Sequence, residues 1–223
     1  MSSPEVTVVT QLNLCVRFED KRLGSVDIAR QDGSVTWLHQ VHGAQVVVVD
    51  QIGAHVADSA DAAVTNVVGA KLLIRSADCA PVLFVGERDG HVCCIGVAHA
   101  GWKGLLAGVL PATAGALRRL GATEIRATLY PCIGPECYEF GEQDLDAVVA
   151  SLGNSVRSKT AAGTVALDLI EAVRCSLNTA GVDALDTSLW SCTSCDESRF
   201  FSYRTRREQG RLGLFAWLET ARP

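Results

Sequence analysis

Histidine and methionine are scarce in this chain, and each shortage narrows the metal chemistry open to it. Five histidines are too few for a centre with several copper ions, because copper favours nitrogen donors. A single mononuclear site remains within reach. The one methionine is Met1, so the weak axial thioether usual in blue-copper proteins is not at hand. No run approaches the ~18 consecutive apolar residues of a membrane-spanning helix. The opening MSSPEVTVVTQLNLCVRFEDKR lacks a cationic segment leading into an apolar block and a cleavage site. A cytoplasmic location and no membrane partner are expected. The glycines never form G-x-G-x-x-G or a Walker loop, which leaves any phosphate to be held by side chains. No histidine has glutamate two positions later, so the H-x-E pattern of the zinc base deaminases is missing. Basic residues are outnumbered, 20 Lys+Arg against 25 Asp+Glu for a formal charge of -5, which offers no general field for nucleic-acid phosphates.

What is present suits a folded enzyme. The chain has 223 residues, 48% of them apolar, enough to bury a core; with no repeat, charge block or Pro/Ser-rich linker, one domain over 1–223 is expected. Nine cysteines are an odd, scattered number in a chain too long to need disulfide staples, so most are read as reduced thiols. Cys192-Thr193-Ser194-Cys195 is a CxxC without a second pair or a thioredoxin-like βαβ unit, and is read as structural or incidental.

Short runs rich in β-branched residues predict strands at Val6 to Val9, Val35 to Leu38 and Val46 to Val49. Three more follow at Lys71 to Ile74, Pro81 to Val85 and Val92 to Ala98, the last two joined by the turn Glu87-Arg88-Asp89-Gly90. After Gly101 the period changes: Leu105, Leu106, Val109, Leu110, Ala114 and Leu117 recur at helical spacing up to Arg118-Arg119-Leu120-Gly121. Pro111 either kinks this helix or opens a second one. Helices are also expected at Glu142 to Leu152 and Leu167 to Ala180, and strands at Ile125 to Tyr130 and Leu212 to Leu218. The whole reads as an α+β (mixed α/β) fold with mixed, largely antiparallel sheets flanked by helices.

Three segments place reactive side chains beside small residues at the ends of expected strands: LHQVHG around His42, SADCAP around Cys79, and AHAGWKG around His99. His42, Cys79 and His99 are too far apart for a local zinc knuckle, yet suit three strands converging on one pocket. Two imidazoles and a thiolate would hold a tetrahedral zinc with its fourth position open, as a catalytic zinc requires. Water there would lose much of its pKa. Each of the three could instead be a hydrogen-bonded structural residue. Asp78 is either a proton carrier beside the thiolate or a residue that orients the Cys79 turn. A different chemistry also fits: Cys79 as nucleophile and Cys79's partner His99 as base, in a cysteine hydrolase acting on an amide such as a cell-wall peptide precursor.

Taken together, QVHGAQV, DAAVTN, GAKLLIRSADCAPVLF, GVAHAGWKGLLAGVL, IGPECYEFG and CTSCDESRFFSYR resemble the bacterial laccase-domain family, also called the YlmD/YfiH family and associated with purine nucleoside phosphorylase activity. The resemblance runs from about Trp37 to Leu218. It implies a zinc ion on His42, Cys79 and His99, with copper (Cu2+) a possible substitute on the general affinity order. It also implies phosphorolysis of adenosine, inosine, guanosine and S-methyl-5'-thioadenosine, and deamination of adenosine. The older label of polyphenol oxidase suits five histidines poorly. Phosphorolysis needs cations for phosphate and an acid near the purine, which makes Arg75, Lys103 and Arg204, all in or beside matched motifs, the candidate phosphate holders, with Cys79, His99 and Asp78 as the catalytic set. Purine nucleosides and phosphate are the expected partners, and a monomer the expected state. Two departures stand out: Glu136 replaces a cysteine of the family's IGPCCYEV, and Thr205 the second arginine of FFSYRR.

Overall fold

The computed structural model describes residues 12–221; the strand expected at Val6 to Val9 lies outside them. In chain order the strands are β1 (Leu12–Glu19), β2 (Val35–Trp37), β3 (Val46–Val48), β4 (Ala62–Thr65), β5 (Lys71–Ser76), β6 (Ala80–Arg88), β7 (His91–Ala100), β8 (Glu124–Leu129), β9 (Arg157–Lys159), β10 (Val165–Leu167), β11 (Leu185–Asp186) and β12 (Leu212–Thr220). The helices are α1 (Trp102–Ala107), α2 (Val109–Arg119), α3 (Glu142–Leu152), α4 (Leu169–Thr179) and α5 (Tyr203–Arg206). Six strands form one sheet in the order β11-β8-β6-β7-β4-β3, four form another in the order β1-β12-β5-β2, and β9 and β10 pair as a ribbon. Pairing is antiparallel except at β11 with β8, β2 with β5 and β3 with β4. The fold is α+β, with mixed and largely antiparallel sheets.

Period-2 alternation explains the layering. On β6, Val82 and Phe84 face one core, while Leu83 and Val85 face another. On β7, Ala98 joins the first core, and Ile95 and Val97 join the second. The first core is closed by Val109, Leu110 and Leu117 of α2 and by Leu169, Val173 and Leu177 of α4. The second is closed by Leu72 and Ile74 of β5 and Leu214 and Leu218 of β12. The six-stranded sheet is therefore sandwiched between helices and the smaller sheet, and its central strands are apolar on both faces because both are buried.

Local chemistry sets the boundaries. The β6–β7 turn is tighter than the four residues expected: β6 runs on to Arg88, and Asp89 and Gly90 alone turn the chain, with φ of 53° and 74°, the double positive φ of a two-residue hairpin. Pro111 does not kink a helix. The break falls earlier, at Gly108 with φ of 87°, where glycine carries no Cβ penalty, and Pro111 then sits in the first turn of α2, where no intrahelical donor is required. α3 occupies the expected span. Leu167 belongs to β10, not to the following helix, because the Asp168 carboxylate accepts from the Glu171 N–H and caps α4 at Leu169. Among the described residues no helix is long and apolar enough to cross a membrane.

The short α5 is tied down by Glu208. Its carboxylate accepts from Lys21 Nζ (2.5 Å), Arg206 Nε (2.9 Å) and the Ser202 N–H (2.9 Å). Burial alone would raise its pKa, but Lys21, the Ser202 N–H and Arg206 bring it down to about 2 from 4.5. A depressed folded-state value means that the contribution is present above pH 4.5 and is lost as the pH falls toward 2. Glu208→Gln is expected to cost on the order of 1 kcal/mol at pH 7, with the gap from the parent closing below pH 4.5; urea melts at pH 7 and pH 3 check both points, and a gap that stays constant refutes the assignment.

Candidate functional site

Strand register brings the thiol to the imidazole. Ala80 pairs with Ala100 and Pro81 with His99, so Cys79, one residue before β6, lands beside His99 and Gly101. Its approach is a strained turn: Asp78 has φ of 88°, a region costly for a residue with a Cβ. Two bonds hold it there. Thr193 Oγ1 donates to Asp78 Oδ1 at 2.7 Å, and the Arg204 N–H donates to Oδ2 at 2.6 Å. Of the two roles open to Asp78, orienting the Cys79 turn is the one these bonds fit.

His42 arrives from the loop between β2 and β3, also at positive φ (60°). Asp61, fully buried just before β4, fixes it. One carboxylate oxygen accepts from the Val41 and Gly43 N–H groups at 3.1 and 2.7 Å; the other accepts from the His42 N–H at 2.9 Å and lies 2.8 Å from His99 Nδ1. With Nδ1 donating to Asp61, Nε2 of His99 is left free to face the site. Gln40 adds a second clamp: its side-chain amide accepts from the Arg75 N–H at 2.9 Å and donates to the Arg75 carbonyl at 2.7 Å, tying the His42 loop to β5.

The result is a compact trio. Donor atoms of His42, Cys79 and His99 all lie within 4.8 Å of one another. His42 Nε2 is 3.9 Å from Cys79 Sγ, and the two imidazoles meet edge to face at 4.9 Å. A Cβ on Gly101 would come to 3.0 Å from both Cys79 Sγ and His42 Cδ2, so only glycine leaves the trio its space. Two nitrogens, one sulfur and a carboxylate behind one imidazole fit a borderline-soft divalent ion. Burial opposes charge on both Cys79 and His99, yet each favours the other's charged form. The His99 charge and hydrogen bonds from His42 and His99 bring the thiol down to about 6, while Cys79 and Asp61 raise His99 to about 9. Asp61 itself is held low despite burial, by His99 and the loop N–H groups.

The trio opens into a cavity of about 680 Å³. Asp78, Arg75, Lys103 and Arg204 line it as well, so every residue singled out from sequence for the site meets the same space. Arg75 is half-buried and its Nε is a buried donor with no acceptor; burial, and then the charge of Arg211, lowers its pKa. Arg204 lies over the Tyr138 ring at 4.8 Å, and Lys103 over Trp102 at 5.4 Å. Asp61, Gln40, Tyr138 and Arg211 were not singled out from sequence. Asp61 opens the matched stretch DAAVTN, but nothing in its neighbours shows that it reaches back to two histidine segments.

A sandwich of mixed sheets with a His₂Cys cavity at its strand ends defines the class. The chain belongs to the family described as "Multi-copper polyphenol oxidoreductase laccase", which it matches over residues 14–219. Among its relatives, a purine nucleoside phosphorylase of Xylella fastidiosa is 42% identical over 191 residues, 82% of this chain and 71% of that one. Another of Streptomyces coelicolor is 39% identical over 203 residues, 89% of this chain and 79% of the relative. The crystal structure of YlmD from Geobacillus stearothermophilus superposes with a TM-score of 0.71 at 31% identity, over 84% of this chain and 74% of that one.

The charge pairing gives a direct test. In chelator-treated protein, alkylation of Cys79 should switch on with a midpoint near pH 6, because the protonated His99 stabilises the thiolate. Asp61→Asn withdraws the support for His99 and should move that midpoint upward. Mass-spectrometric labelling across pH checks both; a midpoint near 9 in the parent would show that the pair is not formed.

Proposed function

We propose that residues 1–223 act as one cytoplasmic catalytic domain, a zinc-dependent purine nucleoside phosphorylase with adenosine deaminase activity on the side. The observation that carries this reading is the convergence of two imidazoles and a thiolate within 4.8 Å on a cavity that is also walled by Arg75, Lys103 and Arg204. The names of the relatives point the same way. Adenosine, inosine, guanosine and S-methyl-5'-thioadenosine are the proposed substrates.

In phosphorolysis a phosphate oxygen bonds to C1' as the C1'–N9 bond breaks, and the purine leaves with the electron pair and then takes a proton. Arg75 suits the phosphate best, since it lines the cavity and is the one of the three cations that is half-buried, and a guanidinium grips an oxyanion with parallel hydrogen bonds. Lys103 and Arg204 add charge from α1 and α5. Trp102, half-buried on the cavity wall, offers flat apolar surface to the base. His42, Cys79 and His99 would hold the zinc, with Asp61 fixing the His99 tautomer; Cu2+ would compete for the same donors. When bound, such an ion supplies a Lewis acid and lowers the pKa of water, the resource that replacement of the adenine amino group by oxygen requires. The Asp78 carboxylate keeps the Cys79 turn in place.

One observation favours a second reading. Cys79, His99 and Asp61 also form a thiol–imidazole–carboxylate relay, as a cysteine hydrolase would need. The two differ in the state of the thiol: a zinc-held Cys79 resists alkylation until chelator is added, whereas a nucleophilic Cys79 reacts at once.

Incubation with adenosine and phosphate, followed by chromatography, should yield adenine, ribose 1-phosphate and a smaller amount of inosine. His42→Ala, Cys79→Ala and His99→Ala are each expected to abolish both reactions and lower bound zinc. Arg75→Ala should raise the KM for phosphate by about tenfold or more, with zinc retained, as loss of a charge-assisted contact implies. Full phosphorolysis by metal-free Cys79→Ala protein would dismiss the scheme.

A further inference from the structure

The CxxC, read from sequence as structural or incidental, does not stand alone in space. Cys192 and Cys195 meet Glu136 and Cys137, with one donor atom from each of the four within 4.8 Å of the others. Cys137 Sγ lies 3.4 Å from Cys195 Sγ, and Cys195 Sγ lies 3.3 Å from Glu136 Oε1. The Gly134 N–H donates to Cys192 Sγ at 3.2 Å, the kind of support that settles negative charge on a sulfur. Two chain segments are brought together here. The Thr193 N–H donates to the Cys132 carbonyl at 3.1 Å, and Cys132 bridges Cys192 in parallel fashion. All of these cysteines are free.

We propose that Glu136, Cys137, Cys192 and Cys195 form a second metal site, closed by four protein ligands and filled by zinc in a structural role. Zinc–sulfur bonds of about 2.3 Å in a tetrahedron place sulfurs about 3.8 Å apart, against 3.4 Å between Cys137 and Cys195 and no more than 4.8 Å for the other donor pairs. The thiols lose their protons to solvent as the ion binds. Three thiolates and a carboxylate exceed the ion's charge; Arg206, itself paired with Glu208, braces the loop by donating to the carbonyls of Thr193 and Ser194 at 3.2 and 2.9 Å. With four protein donors no position is left for substrate, in contrast to the His42–Cys79–His99 trio. Its consequence for the cavity is mechanical. The clamp holds Thr193, whose hydroxyl anchors Asp78, and Asp78 in turn holds both the Cys79 turn and the Arg204 main chain.

The test separates this site from the first by working in His42→Ala protein, which disables the trio without touching the clamp. After stripping with chelator under reductant and reloading with zinc, His42→Ala should retain one zinc ion per chain by elemental analysis, and cobalt loading should give a thiolate-to-cobalt charge-transfer band. Adding Cys195→Ser should remove both signals. Because that change could unfold the loop, the isosteric Glu136→Gln provides the second arm: with an unchanged circular dichroism spectrum it should bind zinc about tenfold or more weakly, in the range expected for disturbed ligation. The proposal is overturned if His42→Ala holds no zinc, if the count survives Cys195→Ser, if Glu136→Gln binds as tightly as its parent, or if unreduced digests show a Cys137–Cys195 disulfide in place of metal. Emptiness of the first site alters none of these readings.

Discussion

The buried carboxylate of Asp61 is the constraint on which the rest of the site depends. A carboxylate without solvent is costly to keep charged, and this one is compensated by three consecutive main-chain N–H groups and one imidazole N–H. Charge-assisted bonds of this kind are stronger than neutral ones, and they do two jobs together. They force the loop around His42 into a conformation with positive φ that it would not choose alone, and they fix which nitrogen of His99 faces the cavity. Removing one donor leaves the others holding a buried charge, so the two histidine segments are coupled through a single residue.

A parallel arrangement governs the thiol. Asp78 is held in a strained turn by bonds from Thr193 and Arg204, which belong to the far end of the chain. The Cys79 turn is thus clamped by sequence over a hundred residues away, while its other flank is fixed by hairpin register. Cations reach the cavity by separate routes: Arg75 from β5, Lys103 from α1, and Arg204 and Arg211 from the segment around α5. Burial and the charge of Arg211 both weigh against the charged form of Arg75, and its buried Nε has no acceptor. Two residues at positive φ, His42 and Asp78, and the four cations thus line the same cavity.

Much of the framework could be read along the chain. The strands β5 to β7, the helical stretch after Gly101 and the span of α3 follow from periodicity and turn chemistry, although Gly108 divides that stretch into α1 and α2; the trio His42, Cys79 and His99 is one of several readings that donor types allow, and the family resemblance singles it out. Departures are local: apolar spacing extends the expected helix back to Leu167, whereas the Asp168 cap starts α4 at Leu169 and leaves Leu167 at the end of β10. Short strands such as β4, β9 and β11 carry no clear signal along the chain, because pairing with neighbours rather than intrinsic preference makes them strands. Asp61 is silent in the sequence for a related reason, since a carboxylate followed by small apolar residues looks the same whether it is solvated or buried.

By itself, then, the sequence determined which residues are apolar at period 2 or 3.6, where glycine and proline interrupt them, and which donor types were available, because these are properties of neighbours along the chain. Only the tertiary structure decided that Asp61 serves both histidines, that Asp78 is bound from Thr193 and Arg204, and that Cys137 meets Cys195 at 3.4 Å. Those contacts depend on sheet register and loop closure across the whole chain, and a buried charge finds its partners in space, where sequence distance carries no information.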